Sequence, residues 1–136
     1  MPYASKIELR GFKSFRDKTE IPLSRGLTVI GGPNGSGKSN IVDALCFVLG
    51  WMSAKTMRAE RFSDLIFKGG DGRRSPRFAE VSLYFNNEDG GIEVDSKTVV
   101  ITRTVDEEGK SVYRLNRRRV SRQDIVDLLG KSLSLG

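Results

Sequence analysis

The 136 residues contain no histidine, a single cysteine and a single tryptophan. Without histidine, imidazole acid–base catalysis and His-ligated zinc sites are excluded. Cys46 cannot form an internal disulfide, and its apolar helical surroundings favour a core residue over a reactive thiol. No apolar run approaches the length of a membrane span, and the N-terminus lacks a signal-peptide core. We therefore expect a cytoplasmic protein with no membrane partner, whose chemistry depends on lysine, arginine, serine, carboxylates and a bound ion.

Charge is plentiful and unbalanced. The net charge is +6, and 29% of the residues are charged against 38% that are hydrophobic. This balance is typical of a soluble globular domain, and the length is that of one domain. The positive excess favours an anionic partner without identifying it.

The hydrophobic pattern predicts one mixed α/β lobe. Alternating or short β-branched runs predict strands, and Pro22 indicates that its strand is at a sheet edge. Apolar spacing from Lys38 predicts a helix that ends near Gly50, and the capping-box pattern Ser121-x-x-Asp124 predicts a last helix. The predicted strands cover residues 5–12, 19–23, 27–30, 78–86, 97–105 and 111–115.

A phosphate-binding loop lies between the predicted strand at 27–30 and the first helix. It matches G-x-x-x-x-G-K-[ST] at every fixed position. Its glycines let backbone N–H groups approach phosphate oxygens, Lys38 supplies a positive charge to the β- and γ-phosphates, and Ser39 offers a hydroxyl to Mg²⁺. The predicted ligand is therefore a nucleoside triphosphate with Mg²⁺. The loop consists of Gly32, Pro33, Asn34, Gly35, Ser36, Gly37, Lys38 and Ser39.

The loop by itself does not provide hydrolysis. That reaction also needs a carboxylate at the end of an apolar strand and a group that positions the attacking water. The nearest candidate, Ile125-Val126-Asp127, is helical by pattern. The sequence thus predicts the phosphate-binding half of an ATPase site without the half that activates water.

Seven short motifs stand out along the chain: Ile7–Phe15, Gly32–Asn40, Leu49–Arg58, Asp64–Phe67, Ala79–Val81, Phe85–Glu88 and Tyr113–Asn116. Together they resemble the N-terminal lobe of an SMC (structural maintenance of chromosomes) ATPase head. The resemblance covers nearly the whole chain and is closest to prokaryotic, in particular archaeal, members. It implies a P-loop NTPase fold of ABC-ATPase type, of which residues 1–136 form the N-terminal half: a mixed sheet with an antiparallel β-arm, the P-loop helix and a short C-terminal helix.

The resemblance also implies roles and partners. ATP and Mg²⁺ would be held by Gly32–Asn40, Lys13 would reach the nucleotide, and Arg58 would be an arginine finger. The implied partners are the C-terminal lobe of the same protein, a second head in a homodimer, a kleisin subunit and double-stranded DNA bound without sequence specificity. Two heads would share two ATP molecules during chromosome condensation and segregation, in association with the nucleoid. The coiled coil, the hinge, the C-terminal lobe and the Q-loop glutamine are expected outside these residues, so we expect the isolated lobe to bind ATP, to hydrolyse it poorly and to need a complementary segment for full stability.

Arginine clusters suit contacts with a phosphate backbone, which are independent of sequence and sensitive to salt. Aromatic residues among them are sparse, so stacking on single strands is not supported. A solvated face or an acidic protein partner explains such a cluster equally well from the residues alone. The candidate DNA contacts are Arg61, Arg117, Arg118, Arg119 and Arg122.

Four other interpretations of the P-loop fit the sequence less well. A DNA-repair ABC ATPase head that splits around a coiled coil fits less well at Phe85–Glu88 and before Arg58. A transporter ATP-binding subunit does not suit the start at Gly11–Phe15. A nucleotide kinase or GTPase would need a base-recognition motif or a lid. A non-catalytic interaction domain with a relic P-loop is disfavoured because Lys38 and Ser39 are intact.

Overall fold

The structure is a computed structural model, and it describes residues 3–13, 15, 17–23, 35–50, 65–66, 77–88, 90–92 and 94–133. The predicted strand at 27–30, and with it the parallel part of the expected mixed sheet, lies outside these residues. Within them, no helix is both long and apolar enough to cross a bilayer.

The described strands form one six-stranded sheet in which every neighbouring pair is antiparallel. The strand order is β2-β1-β3-β4-β5-β6. Pro22 ends β2 at one edge of this sheet, as expected for a residue that cannot donate a ladder hydrogen bond. The elements are β1 Tyr3–Arg10, β2 Thr19–Pro22, α1 Gly35–Leu49, β3 Phe78–Asn86, β4 Thr98–Asp106, β5 Ser111–Leu115, β6 Arg118–Val120 and α2 Arg122–Leu133.

The core forms on one face of the sheet because apolar residues alternate along its central strands. In β3, the predicted inward set is buried throughout, and α1 packs against β3 and β4 while α2 packs against β5. Each fully buried aliphatic or aromatic side chain contributes about 1.5–3 kcal/mol relative to an exposed one. The opposite face is polar, and there the hydroxyls of Ser82 and Thr102 are 2.9 Å apart across β3 and β4. The inward residues of β3 are Ala79, Val81, Leu83 and Phe85.

Two asparagines in the quoted motifs organise connections. The buried Asn87 amide donates to the carbonyls of Ile92, Val94 and Ser96, and its Oδ1 accepts from the N–H of Ile92 at 2.8 Å. Asn87 therefore satisfies the backbone of the loop that leads to β4. At the end of β5, Asn116 has φ 57°, a left-handed conformation that asparagine tolerates.

The predicted boundaries hold for β3 and β5, and the other elements shift by one to three residues. β1 occupies residues 3–10 because Gly11 takes φ 66° and ends the ladder, and α1 begins at Gly35, three residues before Lys38. Gly50 ends α1 with φ 70°, as predicted for a C-terminal glycine. The capping box is confirmed: the N–H of Ser121 donates to Asp124, and the N–H of Asp124 donates to Ser121 Oγ, each at 3.0 Å. β6 was not predicted.

Candidate nucleotide-binding site

The P-loop motif and the P-loop helix overlap. Because α1 begins at Gly35, the second half of the motif forms its first turn, while residues 32–34 lie outside the described part of the chain. The N–H groups of a first helical turn have no partner within the helix, and the helix dipole makes that end positive. No acidic residue occurs in this turn. The helix start therefore fits an anion, as a phosphate-binding loop requires.

A short turn brings Lys13 to the side of α1. The N–H of Lys13 donates to the Leu65 carbonyl at 2.6 Å, and the Lys13 ammonium lies 2.6 Å from Asp43 Oδ2. The two side chains are only 17% and 12% exposed. Lys13 also has φ 50°, a left-handed conformation that costs a non-glycine residue about 1–2 kcal/mol. The predicted site residue Lys13 is thus joined to the P-loop helix through Asp43, which sequence reasoning missed.

The other end of α1 is held by two arginines from distant segments, since its last turn has no basic residue of its own. Arg103 on β4 donates to the Phe47 carbonyl at 2.8 Å, and Arg122 donates to the Gly50 carbonyl through Nε, also at 2.8 Å. Cations are favourable at the negative end of a helix dipole. These contacts fix the position of α1 relative to β4 and to the start of α2.

Arg103 is 5% exposed and lies between two aromatic rings. Its guanidinium carbon is 4.2 Å from the centre of the Phe47 ring and 4.7 Å from that of Tyr113, and its Nε donates to Ser111 Oγ at 3.2 Å. Burial lowers the pKa of Arg103, and the nearby charge of Arg122 lowers it further. Burial also raises the pKa of Tyr113, whose hydroxyl has no hydrogen-bond partner among the described residues. Arg103 and Tyr113 thus continue the core between α1 and β5.

One family model, RecF/RecN/SMC N terminal domain, matches residues 3–134. The chain belongs to this family.

The curated relatives of this chain include chromosome partition proteins Smc. The chain is 55% identical over 130 residues to the chromosome partition protein Smc of Pyrococcus furiosus. The aligned segment covers 95% of this chain and 11% of that protein. It therefore spans about a tenth of the length of that relative. The expected SMC-type head is confirmed at the level of family and fold.

Solved structures agree. One, from "Structural biochemistry of ATP-driven dimerization and DNA stimulated activation of SMC ATPases", superposes with TM-score 0.88 at 53% identity and covers 96% of this chain and 80% of that one. The Smc head domain of Pyrococcus furiosus, bound to the C-terminal domain of ScpA, superposes with TM-score 0.86 at 50% identity. The match covers 98% of this chain and 34% of that one. The fold is thus that of the N-terminal half of an SMC head, an ABC-type P-loop NTPase.

The remaining predicted site residues fall into two groups. For 35–40 the structure describes the backbone, which is helical, so the side-chain roles of Ser36, Lys38, Ser39 and Asn40 stay predictions. The finger candidate Arg58 and the DNA candidate Arg61 lie outside the described residues. Their roles likewise stay predictions.

Three of the five predicted DNA-contacting arginines lie at the β6 edge of the described sheet. Arg117 lies in the turn between β5 and β6, Arg118 and Arg119 lie on β6, and all three are exposed. Arg119 is directly opposite Arg114 on β5. Like charges opposite one another destabilise a sheet, so this pairing is a local cost that an anionic partner would relieve. Arg122, by contrast, has a structural contact with Gly50.

Arg103 and Asp43 are the two residues that sequence reasoning missed. For Arg103 a signal was available, because it alternates with Val99, Ile101 and Val105 on the inward face of β4. For Asp43 the signal was weaker: a lone acidic residue in the apolar part of the P-loop helix.

Proposed function

We propose that residues 1–136 are the ATP-binding N-terminal lobe of an SMC head, which works with a C-terminal lobe, a coiled coil and a hinge encoded elsewhere. The observation that carries this proposal is a G-x-x-x-x-G-K-S motif whose second half forms the first turn of α1, a turn that contains no acidic residue. The identity to Smc over 95% of the chain supports an SMC head rather than a DNA-repair ATPase of the same family.

The chain's own groups account for phosphate binding. The N–H groups of the first turn of α1 donate to phosphate oxygens, and Lys38 adds a full positive charge at the β- and γ-phosphates. Ser39 would supply this lobe's ligand to Mg²⁺, and the ion would neutralise negative charge on the phosphates. Lys13 approaches the same helix from the side, held by Asp43.

Hydrolysis also needs a carboxylate at the end of an apolar strand and a group that positions the attacking water, and the sequence offers no candidate for either. We expect ATPase activity in the complete head dimer, where a second head closes the site and Arg58 acts as an arginine finger worth several orders of magnitude in rate. The isolated lobe should bind ATP and hydrolyse it poorly. The similar structure from a study of the ATP-driven dimerization of SMC ATPases supports a second head as the partner that closes the site.

The proposed partners are a second head, a kleisin and double-stranded DNA, in a cytoplasmic protein that associates with the nucleoid. The Pyrococcus furiosus head bound to ScpA supports the kleisin. The exposed arginines at the β6 edge support contact with a phosphate backbone. Arg61 and Arg122 are further candidate contacts with the phosphate backbone.

Nucleotide binding is tested in a complete head formed from this chain and a C-terminal lobe. Lys38→Ala should abolish high-affinity ATP binding, and Arg58→Ala should leave binding intact while ATP turnover falls at least ~100-fold. The matched control is Lys110→Ala, which removes an exposed lysine 3.5 Å from Glu108 and should change neither quantity. Undiminished ATP binding by the Lys38 variant would leave a relic P-loop as the better account.

DNA binding is tested by a salt series. Replacing Arg117, Arg118 and Arg119 together by alanine should weaken binding to all duplex sequences alike and reduce the slope of log K against log salt by about 2–3. The charge-matched control replaces Lys18, Lys97 and Lys110, which are exposed elsewhere. Equal losses in both triple variants would show that net charge alone governs binding.

A further inference from the structure

Two unfavourable features meet at Lys13. Its backbone takes φ 50°, a value that residues other than glycine rarely adopt. Its ammonium is largely buried beside the Asp43 carboxylate. A strained backbone persists only where the surrounding structure enforces it, and such strain is concentrated at functional sites. A largely buried ion pair carries a desolvation cost that only good geometry offsets. Because both features occur at one residue, we infer that the surrounding structure holds the Lys13 ammonium in a defined position.

The backbone around Lys13 is fixed from two sides. Phe12 and Phe15 exchange backbone hydrogen bonds of 3.0 and 2.8 Å, and the Lys13 N–H donates to the Leu65 carbonyl. The Phe12 ring packs on Phe47 of α1, with ring centres 5.5 Å apart. The turn is therefore held against the P-loop helix, which leaves the long lysine side chain as the part whose position still has to be set.

Asp43 is placed to set it. It lies four residues after Ser39, which is one helical turn, and α1 contains no charged residue besides Lys38 and Asp43. The carboxylate is 2.6 Å from the Lys13 ammonium. A lysine side chain loses much rotational freedom when it is ordered, and a partner that orders it in advance removes that cost from ligand binding.

We propose that Asp43 is a positioning residue, which holds the Lys13 ammonium beside the P-loop helix for contact with the phosphates of the nucleotide. This inference rests on the proposed ATP binding and adds a residue that acts through Lys13. Asp43 itself, as an anion, is not a phosphate ligand. Its effect on affinity should therefore vanish when Lys13 is absent.

The test is a double-mutant cycle on ATP affinity in the complete head. Asp43→Asn should weaken ATP binding ~5- to 20-fold, and Lys13→Met should weaken it at least as much. Added to Lys13→Met, Asp43→Asn should cause less than a ~2-fold further loss. Asp43→Glu, which keeps the carboxylate, should recover affinity to within ~3-fold of wild type. Asp127→Asn, an exposed helical aspartate with the same charge change, is the matched control and should bind as wild type does.

Thermal stability without nucleotide separates positioning from a merely structural role. The inference is overturned if Asp43→Asn lowers the melting temperature and leaves the ATP dissociation constant unchanged. It is equally overturned if the Asn substitution costs the same affinity with and without Lys13. If wild type binds ATP and Lys38→Ala does not, these failures concern Asp43 alone, whereas a wild-type head that does not bind ATP refutes the proposed function and this inference with it.

Discussion

Replacing Arg103 by methionine tests whether the C-terminal end of the P-loop helix depends on a guanidinium inside the core. Methionine keeps most of the side-chain volume and removes the charge and the hydrogen bonds to the Phe47 carbonyl and to Ser111 Oγ. The Phe47 carbonyl, which accepts from Arg103 at 2.8 Å, then loses this charged donor in a buried position, although it still accepts from the Gly50 N–H at 3.1 Å. Losing a hydrogen bond from a charged donor costs about 1.5–3 kcal/mol.

The stacking of Arg103 adds to this loss. The guanidinium lies 4.2 and 4.7 Å from the centres of the Phe47 and Tyr113 rings, a cation–π arrangement worth about 1–2 kcal/mol when it is desolvated. Removing a buried charge returns part of its desolvation cost. The expected net loss is about 2–3 kcal/mol in the free energy of unfolding. Arg103→Lys should lose about 1–2 kcal/mol, because lysine keeps the charge but neither the planar stacking nor the Nε bond.

The assay is chemical denaturation of the complete head, followed by circular dichroism. Arg114→Met is the matched control, since Arg114 is exposed on the neighbouring strand and its loss should stay within about 0.5 kcal/mol. A denaturation midpoint for Arg103→Met that coincides with wild type would refute the assignment of Arg103 to the core.

Three further predictions concern single residues. Gly50→Ala should lower stability by about 1–2 kcal/mol, read as a lower melting temperature, because Gly50 has φ 70° and the new Cβ would lie 3.2 Å from the Arg122 side chain. Hydrogen bonds from Ser121 lower the pKa of Asp124. Its contribution is therefore fully present above the ordinary value of 3.8 and lost as the pH falls through the lower folded value, so wild type should lose its advantage over Asp124→Asn in acid melting curves. Burial raises the pKa of Cys46, with the Asp43 charge as a second cause; native Cys46 should react with iodoacetamide at pH 8 at least ~10-fold more slowly than in urea, and equal rates would contradict this.

The patterns that predicted the fold were local ones. Alternation set the bounds of β3, and the Ser121–Asp124 pair marked the start of α2, because each signal lies within the element it specifies. β6 gave no such signal. Its sequence, Arg118-Arg119-Val120, has no apolar period, and it becomes a strand because Asn116 turns the chain back onto the free side of β5.

The residues of the candidate site likewise fall into those that local sequence predicts and those that depend on contacts between distant segments. The phosphate-binding motif was readable because its chemistry depends on consecutive residues. The pair between Lys13 and Asp43 joins positions 30 residues apart, and nothing in the spacing of charges predicts it. The inward position of Arg103 could be predicted, because it follows from the alternation along β4. Its contacts could not, because the two aromatic rings and the helix carbonyl that it contacts belong to other elements.

The two outer strands of the described sheet share a property that bears on solubility. A sheet edge presents unpaired N–H and C=O groups to which another chain can add a strand. β2 has four residues and ends in proline, whereas β6 has three, of which two are exposed arginines. Shortness, proline and like charge all discourage such pairing. Self-association through these two edges is thereby disfavoured, so a preparation of the chain that aggregates is expected to do so through other surfaces.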